Sequence, residues 1–206
     1  MKLPHNISRV EAFSDGVFAF SATLLVVSVG NESGDSALQI NWLAFLSFAV
    51  SFFVLVALWY THYNFFRRTN YMDNWIIALN AVLLFVVLYY IFPLKSLINT
   101  WTGSITITLE NFSSLFQLYS LGFVFIFVCL ALMYFRAYQK SGETKDFNLL
   151  FFSRHFGIYV LVSILSIVLA KTQIGLRFAS PGIVYTLLGP LCYIHGVRFK
   201  KKYFNE

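Results

Sequence analysis

Glu11 and Asp15 stand four residues apart, immediately ahead of an unbroken apolar run from Val17 to Val29. At that spacing two carboxyl groups share one face of a helix and repel each other, so they need a cation or donor from another helix, or protonation of one of them. The run is only about 20 Å long at 1.5 Å per residue, short of the roughly 30 Å of a bilayer core. A spanning helix must begin ahead of Gly16 and carry Asp15 into the membrane, where an ionisable group is costly and marks a functional site by default. The alternative is that Asp15 caps the helix and Arg9–Phe13 forms an interfacial turn, because Ser14-Asp15-Gly16 also has turn chemistry. Arg9 lies about 240° around the helix from Asp15 and should seek a different partner.

Other polar residues fall at a similar depth. Counted inward from the ends of their apolar segments, His62, Asn80 and the pair Arg154/His155 each sit about 8–10 Å inside one boundary, as Asp15 does. Polar groups in lipid pair with one another, so a network of Asp15, His62, Asn80 and Arg154/His155, with Glu11 beside it, is the economical expectation. Taken singly, His62, Asn80 and His155 are more often structural hydrogen-bonding residues than ligands. No His or Cys spacing resembles a metal site. Cys192 and His195, three residues apart, are the nearest approach to a nucleophile and base, and with no carboxylate nearby they do not suggest an enzyme.

The elements that position these residues are membrane helices. Of 206 residues 58% are hydrophobic, 19% aromatic and 12% charged, whereas a soluble domain is about a quarter charged. The expected fold is all-α and polytopic: a single domain, 1–206, with six spans at about 7–30, 42–66, 74–98, 112–138, 149–170 and 178–198 and a basic tail, 199–206. The formal charge of +6 is carried at span ends and on the tail, which argues against a nucleic-acid partner. Cys129 and Cys192 lie in apolar stretches and read as buried thiols. No cleavable signal peptide is visible. Lys2, Arg9, Arg67, Arg68, Arg136, Lys140, Lys145, Arg154, Arg198 and Lys200–Lys202 fall on one side. Lys95, Lys171 and Arg177 fall on the other, beside Glu32, Asp35 and Glu110. The positive-inside rule then puts both termini in the cytoplasm. Pro181, Gly189 and Pro190 interrupt the sixth span, where a kink is expected.

The first helix has further faces. Phe20, Leu24 and Val27 share one stripe, extended by Phe13 and edged by Thr23, while Ser14, Ser21 and Ser28 form a separate line of small residues. Against lipid the apolar stripe is ordinary. Around the axis of an oligomer it makes hydrophobic rings, which gate ions by dewetting. Spacing leaves both open.

The stretch Arg9-x-x-x-Phe13-Ser14-Asp15-Gly16, followed by Val-Phe-Ala-x-x-x-Thr-Leu-Leu-Val, resembles the signature of the transmembrane-protein-175 potassium channels in their bacterial single-repeat form. The resemblance extends to Trp59-x-x-His62 and to Leu79-Asn80, and to the whole chain in length and span count. It implies a homotetramer in a bacterial plasma membrane, with each first helix lining a central pore permeable to potassium and other monovalent cations, and no cofactor. It also implies that Arg9, Phe13, Ser14, Asp15 and Gly16 support the pore helix from behind. Phe20, Leu24 and Val27 would then form the constriction, with the Thr23 hydroxyl beside it. The Thr-Val-Gly-Tyr-Gly filter of ordinary potassium channels is absent from the family and from this chain. One departure bears on conductance: Phe20 stands where the family usually has a branched aliphatic residue. The competing function is a proton- or ion-coupled secondary transporter using Asp15, His62 and His155 as a relay.

Overall fold

A computed structural model describes residues 6–30, 42–101, 107–142 and 146–203. Lys2, Glu32, Asp35, Lys145, the side chain of Ser28 and the end of the basic tail lie outside the described residues. Helices α1 (Ile7–Gly30), α2 (Trp42–Arg68), α3 (Asn74–Trp101), α4 (Leu109–Gln139) and α5 (Phe147–Thr172) follow in order, then α6 (Ser180–Ile183) and α7 (Leu188–Tyr203). The first five are long and apolar enough to cross a membrane, and their ends lie within three residues of those expected. Among the described residues there is no strand.

The start of α1 settles where its charges sit. Asn6 caps it, its side-chain oxygen accepting the Arg9 N–H at 3.2 Å, so Asp15 lies two turns inside the helix and is not its cap. Further along, buried residues recur at helical spacing: Ser47, Ser51, Leu55, Leu58, His62 and Phe65 in α2, and Ser113, Phe116, Ser120, Ile126, Leu130 and Met133 in α4. Each helix thus turns a single stripe inward. α1 packs on α2 and α3, α3 on α4, α4 on α5, and α5 on α7. Gly122 is required where α3 meets α4, because a Cβ there would lie 2.6 Å from the Tyr90 ring.

The sixth expected span, 178–198, is not one continuous α-helix. α5 ends at Gln173 in the left-handed conformation; a 3-10 turn, Leu176–Phe178, leads to α6, and a second, Val184–Leu187, joins α6 to α7. The cause is local. Pro190 has no N–H for the Thr186 carbonyl and its ring crowds that carbonyl, so the backbone tightens just ahead of it.

Candidate functional site

Ser14 is wholly buried on the face of α1 turned to α2 and α3. Its hydroxyl donates to the Val10 carbonyl at 2.8 Å and accepts the Asn80 amide N–H of α3 at 2.9 Å. The other end of that amide, Asn80 Oδ1, lies 2.7 Å from His62 Nε2 of α2. One asparagine therefore joins three helices with both ends of its side chain. His62 and Asn80 are themselves almost fully buried, where an amide or imidazole without a partner costs more than the bond contributes when made. The rings of Phe18 and Phe66 flank His62, with centroids 5.4 and 4.9 Å away.

Asp15 makes a second contact one residue on, about 100° around the helix. The Trp59 indole N–H donates to Asp15 Oδ1 at 2.8 Å, and both residues line a cleft of about 340 Å³ between α1 and α2. Trp59 stacks on Tyr63, and Arg67 lies over that ring at 5.6 Å. A neutral indole donor, rather than a cation, thus meets the carboxyl group expected to need one. Sequence reasoning assigned Trp59 no role, although a buried indole N–H usually finds an acceptor and Trp59 sits one turn before His62.

The rest of the expected network divides. His155 packs against α7, its ring 5.8 Å from that of His195, with Phe151 against both. Arg154 lies over Phe199 and Tyr203. Similar depth did not bring these two residues to Asp15, because depth carries no information about which face of the bundle a helix occupies. Arg9 and Gly16 are exposed, and Glu11 is half-buried.

The remaining faces of α1 differ sharply. Ser14, Phe18, Ser21 and Leu25 are buried, whereas Phe13, Phe20 and Val27 are 68%, 57% and 58% exposed. Leu24 is half-buried and Thr23 exposed; the Thr23 hydroxyl donates back to the Phe20 carbonyl at 2.7 Å. Among the described residues of the single subunit nothing apolar covers the stripe of Phe13, Phe20 and Val27.

A third polar junction lies at the end of the bundle where α2 passes to α3. Asp73 caps α3, its Oδ1 accepting the Ile76 N–H at 2.9 Å. Its Oδ2 accepts from Arg136 Nε at 2.8 Å and from the Tyr71 hydroxyl at 3.0 Å. Burial pushes the Asp73 carboxyl up, but the hydrogen bonds from Ile76, Arg136 and Tyr71 and the Arg136 charge outweigh it and hold it below its ordinary value. Asp73 is not among the expected site residues, although an Asp just ahead of an apolar periodic stretch is an N-cap signal.

Residues 9–90 match the family model described as the endosomal/lysosomal potassium channel TMEM175. A potassium channel of Marivirga tractuosa is 35% identical over 156 residues, which cover 68% of this chain and 63% of that protein. A potassium channel of Streptomyces collinus is 36% identical over 85 residues, 38% of this chain and 41% of that one. The chain thus spans less than two thirds of the length of these relatives. Among solved structures, a variant of the potassium channel MtTMEM175, crystallised with a nanobody fusion, superimposes with a TM-score of 0.74 at 28% identity, covering 97% of this chain and 95% of that one. A homologue, from Chamaesiphon minutus, of the lysosomal potassium-selective channel TMEM175 shares the fold, with a TM-score of 0.62 at 21% identity over 94% of this chain and 97% of that one.

Proposed function

Because the chain belongs to the TMEM175 family, a family of potassium channels rather than enzymes, we propose that it is a potassium-permeable channel in which α1 lines the pore. The subunits form a homotetramer in a bacterial plasma membrane, with both termini in the cytoplasm, and K+ and other monovalent cations pass without a cofactor. One observation carries this reading. α1 is pinned by Ser14 and Asp15 on one side and presents Phe13, Phe20 and Val27 bare on another. With four copies around an axis, Phe20, Leu24 and Val27 become stacked apolar rings too narrow for a hydrated ion when closed. Ser14 and Asp15, of the motif Arg9 to Gly16, hold that helix from behind.

The coupled-transporter reading is not supported. It needs Asp15, His62 and His155 in sequence, and these end in three separate contacts, with Trp59, Asn80 and His195.

The test is K+ flux through purified protein in liposomes. Phe20→Ala should raise flux about tenfold, which corresponds to about 1.4 kcal/mol off the barrier. Unchanged flux would remove the stripe from the pore.

A further inference from the structure

α5 and α7 run side by side on the flank of the bundle away from α1, and a groove of about 360 Å³ opens between them. Its lining is ordered along its length. At the cytoplasmic end stand Arg154 of α5 and Arg198 and Lys202 of α7. Deeper in the membrane the same two faces continue as Ile158 and Leu161 on α5 and as Ile194 and Leu191 on α7. These positions follow one another at i, i+3 and i+4, so each helix contributes one continuous stripe, cationic above and aliphatic below. Leu161 is 68% exposed and Ile194 and Leu191 are more than a third exposed, so the apolar half is open to the lipid side.

Among the described residues no carboxylate lines the groove to balance its upper half. Arg154 is held against the faces of Phe199 and Tyr203, at 5.9 and 5.8 Å, and Lys202 against Tyr203 at 5.3 Å. These contacts gather Arg154 and Lys202 over one spot beside Arg198. Beneath them both ring nitrogens of His195 are buried without a hydrogen-bond partner among the described residues. We propose that this groove is a binding site for an anionic phospholipid, its phosphodiester held by Arg154, Arg198 and Lys202 and an acyl chain laid along Ile158, Leu161, Ile194 and Leu191. Guanidinium groups suit the pairing because they bind phosphate oxygens in a fixed fork. A run of lysines alone, such as Lys200–Lys202, attracts an anionic surface only diffusely; α5 supplies what turns it into a site. The depth assignment rests on the membrane orientation given above, but lipid binding does not require ion conduction.

Native mass spectrometry of the purified assembly tests this with dioleoylphosphatidylglycerol and dioleoylphosphatidylcholine as competing probes. The glycerol lipid should be retained about tenfold over the choline lipid, and Arg154→Gln with Arg198→Gln should abolish that preference. Lys200→Gln with Lys201→Gln, outside the groove, should leave it intact. A third variant, Leu161→Trp, should weaken retention of both lipids by filling the acyl half while keeping every charge, and it decides the matter if the arginine variant fails to assemble. Equal retention of the two lipids, or displacement of the lipid by millimolar inorganic phosphate, overturns the proposal. Retention without K+ flux in the same preparation would instead overturn the channel reading and leave the lipid site standing.

Discussion

The two halves of the bundle are held by different balances of hydrogen bonding and ring packing. Where α1, α2 and α3 meet, the contacts are directional: Ser14, Asn80 and His62 in one chain of hydrogen bonds, Asp15 and Trp59 in another. Where α4 meets α5, hydroxyl bonds at the ends (Ser113 to the Ala170 carbonyl, Ser120 with Ser166, Ser153 to the Ala131 carbonyl) flank a middle packed by rings. Phe127 lies 4.5 Å from both Phe123 and Tyr159, and Tyr134 packs on Phe152 and Phe156. In lipid, apolar packing gains little from burial alone, since acyl chains are as apolar as the core, and only the fit counts. Rings can slide to a neighbouring rotamer at small cost. A hydrogen bond between buried groups has no such freedom, because losing it strands both partners. The directional half therefore fixes the rotation of α1 about its own axis, and with it which residues face outward.

Breaking the comparison should be easiest at Asn80. Asn80→Leu removes both bonds at once and leaves His62 and Ser14 buried without partners from α3, for an expected loss of about 3 kcal/mol. Chemical unfolding in detergent would show it, and an unchanged midpoint would mean that the polar junction contributes no more than packing does. Trp59→Phe keeps the ring and removes one donor, for about 1.5 kcal/mol. It should also loosen α1 without unfolding the bundle, seen as faster hydrogen exchange around Asp15. By contrast Phe127→Leu, in the ring-packed half, should cost only about 1 kcal/mol and leave exchange in α1 as it was, because part of its volume is replaced and no polar group is exposed. If Phe127→Leu proves the more damaging of the two, the assignment of rotational control to the polar half fails.

Five of the helices were readable in the sequence because each is an uninterrupted apolar block, and Asp15 was placed inside the first by counting residues against bilayer thickness. The break in the sixth was signalled by Pro181, Gly189 and Pro190, though not its resolution into α6, a 3-10 turn and α7. His62 and Asn80, expected at one depth, meet in a hydrogen bond, since both lie on helices adjacent to α1. Arg154 and His155, expected at that depth too, pack against α7 instead, because depth is one coordinate and packing needs the azimuth as well. Phe18 and Leu25 went unremarked for a related reason: every residue from Val17 to Val29 is apolar or small, so hydrophobicity alone has no period there, and only the serines Ser14 and Ser21 betray the buried side.

The smallest effect belongs to the junction at the membrane boundary, which shares the chemistry of the polar half but not its setting. Asp73 is partly open to water, and its partner Arg136 more so, with side-chain exposures of 18% and 31%. Its carboxyl titrates below its ordinary value in the folded protein, so the unfolded chain takes up the proton first. The stabilisation is therefore complete above the unfolded value near pH 4 and is lost as pH falls through the lower folded value. Screening by solvent keeps the contribution to about 1 kcal/mol or less. Unfolding midpoints should be flat from pH 7 to pH 5 at this site and fall below pH 4, and Asp73→Asn should remove that fall while lowering the plateau slightly. Asn80→Leu should leave the fall below pH 4 unchanged, since the Asp73 carboxyl bonds only to Ile76, Arg136 and Tyr71 among the described residues. An acid limb that vanishes in Asn80→Leu as well would mean that the two polar junctions act as one unit, and the contrast between membrane interior and boundary would have to be redrawn around the helix α3 that carries both.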